Sequence, residues 1–298
     1  MSTLPRPTAQ APHDRTPVLP ATPPLDLFGD VARVQHAFEA LDWAKMKEYF
    51  QRPLAEPFLV VSNVPLKAFY GVFLYDDKPI TSFRSVSRND RGDVFLDELY
   101  TRIHGSIKNQ VFLDFFEICG RHFACIGSAY ASRWDPSTHT LTYQEPEISY
   151  IPHHSTQYLK PKPEGLPFFS AWRTIVVDVS CNRPDRLDKI ALWWSQYPGI
   201  EYILGIYVNQ VAAQRIEWQF KLHDMEDEFE VNRPWSPVYT QPPAPGDTAS
   251  ANIELDMRRL LGVLPTAPLP DDGRRVLPDT WMWDLRVFMI DVLDECMW

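Results

Sequence analysis

The sequence predicts an α/β protein, a mixed central sheet flanked by helices. Three observations carry that expectation. Residues 175–208, IVVDVSCNRPDRLDKIALWWSQYPGIEYILGIYV, read as strand, polar turn, amphipathic helix, tight turn and strand. In residues 215–222, Ile216, Trp218, Phe220 and Leu222 alternate with polar neighbours, the period of a half-buried strand. Upstream, Leu96, Leu99, Ile103, Ile107 and Val111 step by three and four, the period of a helix face. A strand, a helical crossover and a second strand favour parallel pairing, here of the runs at Ile175 and Tyr202.

Taken in order, residues 1–25 hold seven prolines and little to bury, so they predict a disordered leader. Residues 26–92 read as an N-terminal α+β extension. Leu27, Val31, Val34, Phe38, Leu41 and Met46 mark one helix face from Leu27 to Phe50. Phe58–Ser62 and Ala68–Tyr75 read as strands, Asp76–Pro79 as a charged turn and Ile80–Val86 as a further strand. The core spans 93–222, with the first core helix inside Asp93–Cys119, strands over His122–Tyr130 and Thr140–Ile151, and a proline-rich connection over His153–Pro167. In the helix of the 175–208 unit, Leu187, Ile190, Ala191 and Trp194 recur at helical spacing, and Pro198–Gly199 ends it. Residues 223–298 read as an acidic linker, a proline-rich segment at Gln241–Gly246, a helix over Ile253–Leu261 and a C-terminal helix rich in aromatic residues. That last segment packs on the body or, alternatively, serves self-association.

An acidic residue inside an apolar strand (Asp178), D-R-x-x-K on the next helix (Asp185, Arg186, Lys189) and P-G-I-E-Y before another strand together resemble the PD-(D/E)XK nuclease superfamily. The sequence is most similar to its putative-restriction-endonuclease branch, in which the lysine has moved from the strand to the helix. Pro146–Glu147 stands where the superfamily has Pro-Asp, and the likeness runs from about Glu98 to Leu222. It implies a magnesium- or manganese-dependent endonuclease acting on DNA. Glu147 and Asp178 would hold the metal with the carbonyl of Val179, Lys189 would act on the attacking water, and His104, or Glu98, would come from the first core helix. The chemistry is coherent: magnesium takes oxygen ligands, and a nearby cation stabilises charge building on phosphate.

The residues depart from that pattern. Glu147 and Asp178 exchange the usual carboxylate lengths, and Ser180 stands where the strand lysine would be. Such a site is either an altered catalytic centre or a decayed one whose scaffold binds nucleic acid or protein without cutting. Simpler readings stand beside each residue. Asp178 suits the wet face of a strand, and Lys189 suits an ordinary i, i+4 pair with Asp185. His104 suits a structural histidine, and the adjacent His153 and His154 point apart in an extended chain.

Arg173, Arg183, Arg186, Lys160 and Lys162 are the candidates for contacts with DNA. Charge argues against a general nucleic-acid binder: the net charge is −10, and residues 223–298 alone carry 6 basic and 15 acidic side chains. The four cysteines form no CxxC pair, and no apolar run reaches the length of a membrane span. With no apolar signal core at the start, these features predict an intracellular protein.

Overall fold

The computed structural model describes residues 27–298 except 53, 75–80, 138, 182, 213–214, 231, 244–248, 272–275 and 297–298. The leader over 1–25 and the turn at Asp76–Pro79 therefore lie outside the described residues.

The N-terminal part has its own core. Helices α1 (Leu27–Glu39) and α2 (Trp43–Phe50) replace the single helix expected over Leu27–Phe50. The chain breaks because Asp42 caps the second helix, its carboxylate accepting the Lys45 amide at 3.2 Å. Strand β1 (Phe58–Val61) forms as expected, but Leu66–Phe73 is helix α3 rather than a strand. Its buried residues, Ala68, Phe69, Val72 and Phe73, recur at helical spacing, and Pro65 precedes its first turn. Gly71 lets α1 approach, since a Cβ there would lie 3.2 Å from a Val31 methyl. Instead of one strand over Ile80–Val86, a turn of 3₁₀ helix at Phe83–Ser85 leads into β2 (Val86–Arg88). Strand β3 (Val94–Leu96) pairs with both β1 and β2.

Helix α4 (Arg102–Cys119) starts later than the apolar spacing suggested, because the β3 strand takes Leu96. Glu98 consequently sits before the helix rather than on it. Strand β4 (Phe123–Gly127) is followed by an unanticipated hairpin, β5 (Ala131–Asp135) with β6 (Thr140–Gln144). The stretch Thr140–Ile151 is thus two strands in different sheets, β6 and β7 (Ile148–Pro152), divided at Glu145–Glu147 where Pro146 cannot donate to a ladder.

Strand β8 (Ile175–Ser180), helix α5 (Pro184–Ser195), strand β9 (Tyr202–Ala212) and strand β10 (Arg215–Asp224) form in the expected order. Gly199, at φ +82°, makes the turn after α5, and a side chain there would collide with Pro163 and Trp172. With β11 (Tyr239–Gln241), these strands build a six-stranded sheet in the order β11-β10-β9-β8-β7-β4. Strands β8 and β9 are parallel and the other pairs antiparallel. The strand carrying Asp178 is central and adjoins the one that begins just after Glu147.

The expected helix over Ile253–Leu261 is a strand, β12 (Asn252–Asp256), followed by one turn of helix, α6 (Met257–Leu260). Ile253 and Leu255 are buried while Asn252 and Glu254 are exposed, so the local period is two. β12 pairs with β13 (Thr280–Asp284), which precedes helix α7 (Leu285–Cys296).

The sheet is covered on both faces. Ile175, Val177 and Val179 point into a core shared with Val111 and Phe115 of α4, Trp283 of β13 and Phe288 and Val292 of α7. Val176 points the other way, toward Ile190, Ala191 and Trp194 of α5. Trp283 and Phe288 are therefore buried on their own chain, with Trp281 partly buried against them, and Asp178 shares the α5 face with Val176 by strand alternation. No helix among the described residues is long and apolar enough to cross a membrane.

Candidate functional site

The site forms where α5 crosses the C-terminal end of β8. Asp178 and Glu147 come together by sheet register: Ile148 lies opposite Val177, which places Glu147 opposite Asp178. The Glu147 amide donates to Asp178 Oδ1 at 3.1 Å. Both side chains are buried, at 0% and 2% exposure.

Between them and the N-terminal part stands Arg186. It occupies the buried stripe of α5 with Leu187, Ile190, Ala191 and Trp194, so its guanidinium turns inward. Nη1 donates to Glu98 Oε1, and Nε lies 4.0 Å from Asp97 Oδ2. Burial works against the charge of Arg186. Glu98, Asp97, Asp178 and Glu147, in that order, more than offset it and raise its pKa.

Glu98 is the best-satisfied member. Its Oε2 accepts from Ser180 Oγ at 3.0 Å, and Ser180 Oγ in turn accepts the Arg183 amide at 3.1 Å. Burial pushes the carboxyl up, but Arg186, His104 and Ser180 outweigh it and hold the pKa at about 2. Asp97, by contrast, is raised by burial despite Arg186 and a 2.9 Å hydrogen bond from Ser87.

His104 lies within the same cluster, at 0% exposure. The Thr101 amide donates to its Nδ1 at 3.1 Å, closing a capping box on α4. The ring proton of the neutral form therefore sits on Nε2, 3.7 Å from Glu98 Oε1. Two influences compete at this ring. Burial disfavours the imidazolium, while Cys181 and Glu98 favour it and raise the pKa to about 10. A proton on Nδ1 must displace the Thr101 amide, so the cap acts with burial against the imidazolium.

The remaining candidates lie elsewhere. Lys189 is on the outer side of α5, 75% exposed, and pairs with Asp185 at 3.7 Å. Val179 turns its side chain into the opposite core, with its backbone opposite Ile206 in the ladder. Arg173 is buried and donates to the carbonyls of Ala129, Tyr130 and Ala171, pinning a turn. Arg183 is bound to Asp185, Lys160 to Glu201 at 3.3 Å, and Lys162 to the Leu166 carbonyl. These five cations do not make one exposed basic patch.

The residues do not fit a magnesium ion held by Glu147 and Asp178 with Lys189 alongside. Magnesium keeps waters in an octahedral oxygen shell. Here the carboxylates are sealed from solvent, and a fixed guanidinium already supplies the positive charge. Among the described residues, no group of three or more His, Cys, Asp or Glu side chains is able to hold a metal.

Sequence reasoning missed Asp97, Ser180, Thr101 and Cys181 as members of this cluster, and assigned Arg186 to phosphate contact. The helical period held the missing signal for Arg186, since it falls on the stripe of Leu187, Ile190 and Trp194. Asp97 and Thr101 carried none, because their placement depends on how the N-terminal part packs. No protein family, curated protein or solved structure matches this chain.

Proposed function

We propose that this chain is a non-catalytic binding protein built on a nuclease-like sheet, and that its partner is a protein rather than DNA. The observation that carries the reading is the buried guanidinium of Arg186 among Glu98, Asp97, Asp178 and Glu147. A magnesium-dependent nuclease needs an open, hydrated metal position with a lysine near the water. The cluster has a fixed organic cation in place of the metal, and Lys189 faces solvent. The cluster then serves to lock α5 to the N-terminal part of the molecule.

The charge balance supports a protein partner. Arg173, Arg183, Arg186, Lys160 and Lys162 are each bound to groups of the chain itself, and the net charge of −10 favours a partner of opposite sign. Incubation of the purified protein with plasmid DNA in magnesium or manganese tests both halves. The expected result is neither cleavage nor gel retardation. Cleavage lost in Asp178→Asn would establish the metal-nuclease reading, and retardation without cleavage would establish a nucleic-acid binder.

A further inference from the structure

Beside the ionic cluster lies an arrangement that a binding role does not use. Cys181 follows the last residue of β8 and is partly exposed. Its Sγ lies 3.7 Å from Nδ1 of His104 and 3.6 Å from Oγ1 of Thr101. On the far side of the ring, Nε2 faces Glu98 at 3.7 Å, and Glu98 is itself fixed by Ser180 and Arg186. Thiol, imidazole and carboxylate therefore stand in line, with only the thiol reachable from solvent. This is the order required of a nucleophile, its base and the group that orients the base.

We propose that Cys181 is a nucleophilic thiol, activated by His104 and oxidised by small hydroperoxides. His104 Nδ1 takes the thiol proton by giving up the hydrogen bond it accepts from the Thr101 amide, and Glu98 compensates the charge that appears on the buried ring. The thiolate sulfur attacks one peroxide oxygen. An S–O bond forms as the O–O bond breaks, sulfur gives up two electrons, and the leaving oxygen takes the proton back from His104. Hydrogen peroxide thus yields water and a cysteine sulfenic acid, with no other reactant. The Thr101 hydroxyl, 2.9 Å from Nδ1 and beside the sulfur, is placed to hydrogen-bond the peroxide. The small reagent matches the setting, a partly exposed cysteine against a buried imidazole.

Other charged or titratable groups bear on this thiol. Arg183, two residues further along the chain, and Arg186 of α5 are both committed to carboxylates. Tyr207 of β9 is close enough for Cys181 to contribute to its raised pKa, behind the larger effect of burial. Cys125 provides an internal comparison. It is an exposed residue, yet burial of its sulfur raises the thiol and outweighs Gly127, Lys108 and Tyr150, which lower it. Exposure alone therefore does not predict which cysteine reacts.

The test uses the full chain with hydrogen peroxide, trapping sulfenic acid with dimedone and locating it by mass spectrometry. Cys181 is expected to react at least about tenfold faster than Cys125 at neutral pH, because only its thiol has a built-in base. His104→Gln removes the base but keeps a side chain that suits the third position of a capping box, so α4 retains its start. In that variant, the advantage of Cys181 over Cys125 should fall to within about threefold. Alkylation of the parent by iodoacetamide gives an independent readout if the variant does not fold. At neutral pH the reagent should modify Cys181 faster than Cys125 in the parent protein. Equal reactivity of the two cysteines toward peroxide or iodoacetamide, or a His104→Gln protein with unchanged rates, would overturn the proposal. None of these outcomes depends on whether the chain binds protein, DNA or metal.

Discussion

Arg186 and Lys189 are three residues apart on one helix, and the fold treats them in opposite ways. Arg186 is 10% exposed and faces four carboxylates; Lys189 is 75% exposed and faces one, at 3.7 Å. The difference comes from the helical period, which puts residue 186 on the stripe of Leu187, Ile190 and Trp194 and turns residue 189 outward. It teaches that D-R-x-x-K in sequence does not say which cation enters a site. Only the face of the helix that packs on the sheet decides, and here it selects the residue with a planar, permanently charged fork.

The contrast predicts a graded set of effects. The largest belongs to Arg186→Ala, which strands Glu98 and Asp97 without their buried partner. Loss of one member of such a pair costs about 3–5 kcal/mol, so chemical denaturation should show a loss of that order or a protein that does not fold. Arg186→Ala combined with Glu98→Gln should recover part of it, because no ionised Glu98 is then left unpaired.

The pH dependence is next. The folded pKa of Glu98, about 2, lies below its ordinary value of 4.5. Its stabilisation is therefore complete above about pH 4.5 and is lost as pH falls toward 2, an amount on the order of 3 kcal/mol. Urea midpoints measured across that window should fall steeply in the parent protein. They should fall less in Glu98→Gln, which has no carboxylate to protonate at this position.

A smaller effect belongs to Asp188, between the two faces. Its Oδ1 accepts from the buried Lys221 ammonium at 2.6 Å, and Lys221 also sits over the Trp235 ring at 4.7 Å. Asp188→Ala should cost about 1–3 kcal/mol, since Lys221 keeps only the aromatic contact. The smallest effect belongs to Lys189→Ala. An exposed i, i+4 pair contributes about 0.3–0.5 kcal/mol, so the melting temperature should scarcely change. A loss rivalling that of Arg186→Ala would break the inner–outer comparison.

Much of the sheet was legible because its strands carry their periods openly. Ile175–Val179 is continuously apolar, Ile216–Leu222 alternates, and Pro198–Gly199 punctuates the crossover, so β8, α5, β9 and β10 form in the expected order. Short elements were not legible. Ala68–Phe73 is apolar enough for either a strand or one face of a helix, and its neighbours α1 and β1 decide the matter. Ile253 and Leu255 gave too brief an alternation to separate β12 from the helical turn after it. The site was half legible. Asp178 was visible as a carboxylate in an apolar strand, and Glu147 as its counterpart across the sheet. That Ser180 would bond to Glu98, and that Glu98 would hold Arg186, depends on contacts between residues more than 80 positions apart, which no local pattern encodes.

The central claim is that Arg186 takes the electrostatic place a metal would otherwise fill. Thermal unfolding of the parent protein in increasing magnesium or manganese chloride, at constant ionic strength, tests it most directly. A ligand bound only by the folded state raises stability by RT ln(1 + [L]/Kd), so binding in the millimolar range or tighter would show as a melting temperature rising with metal concentration. The account predicts a flat response in the parent and in Asp178→Asn alike. A rise in the parent that disappears in Asp178→Asn would contradict it.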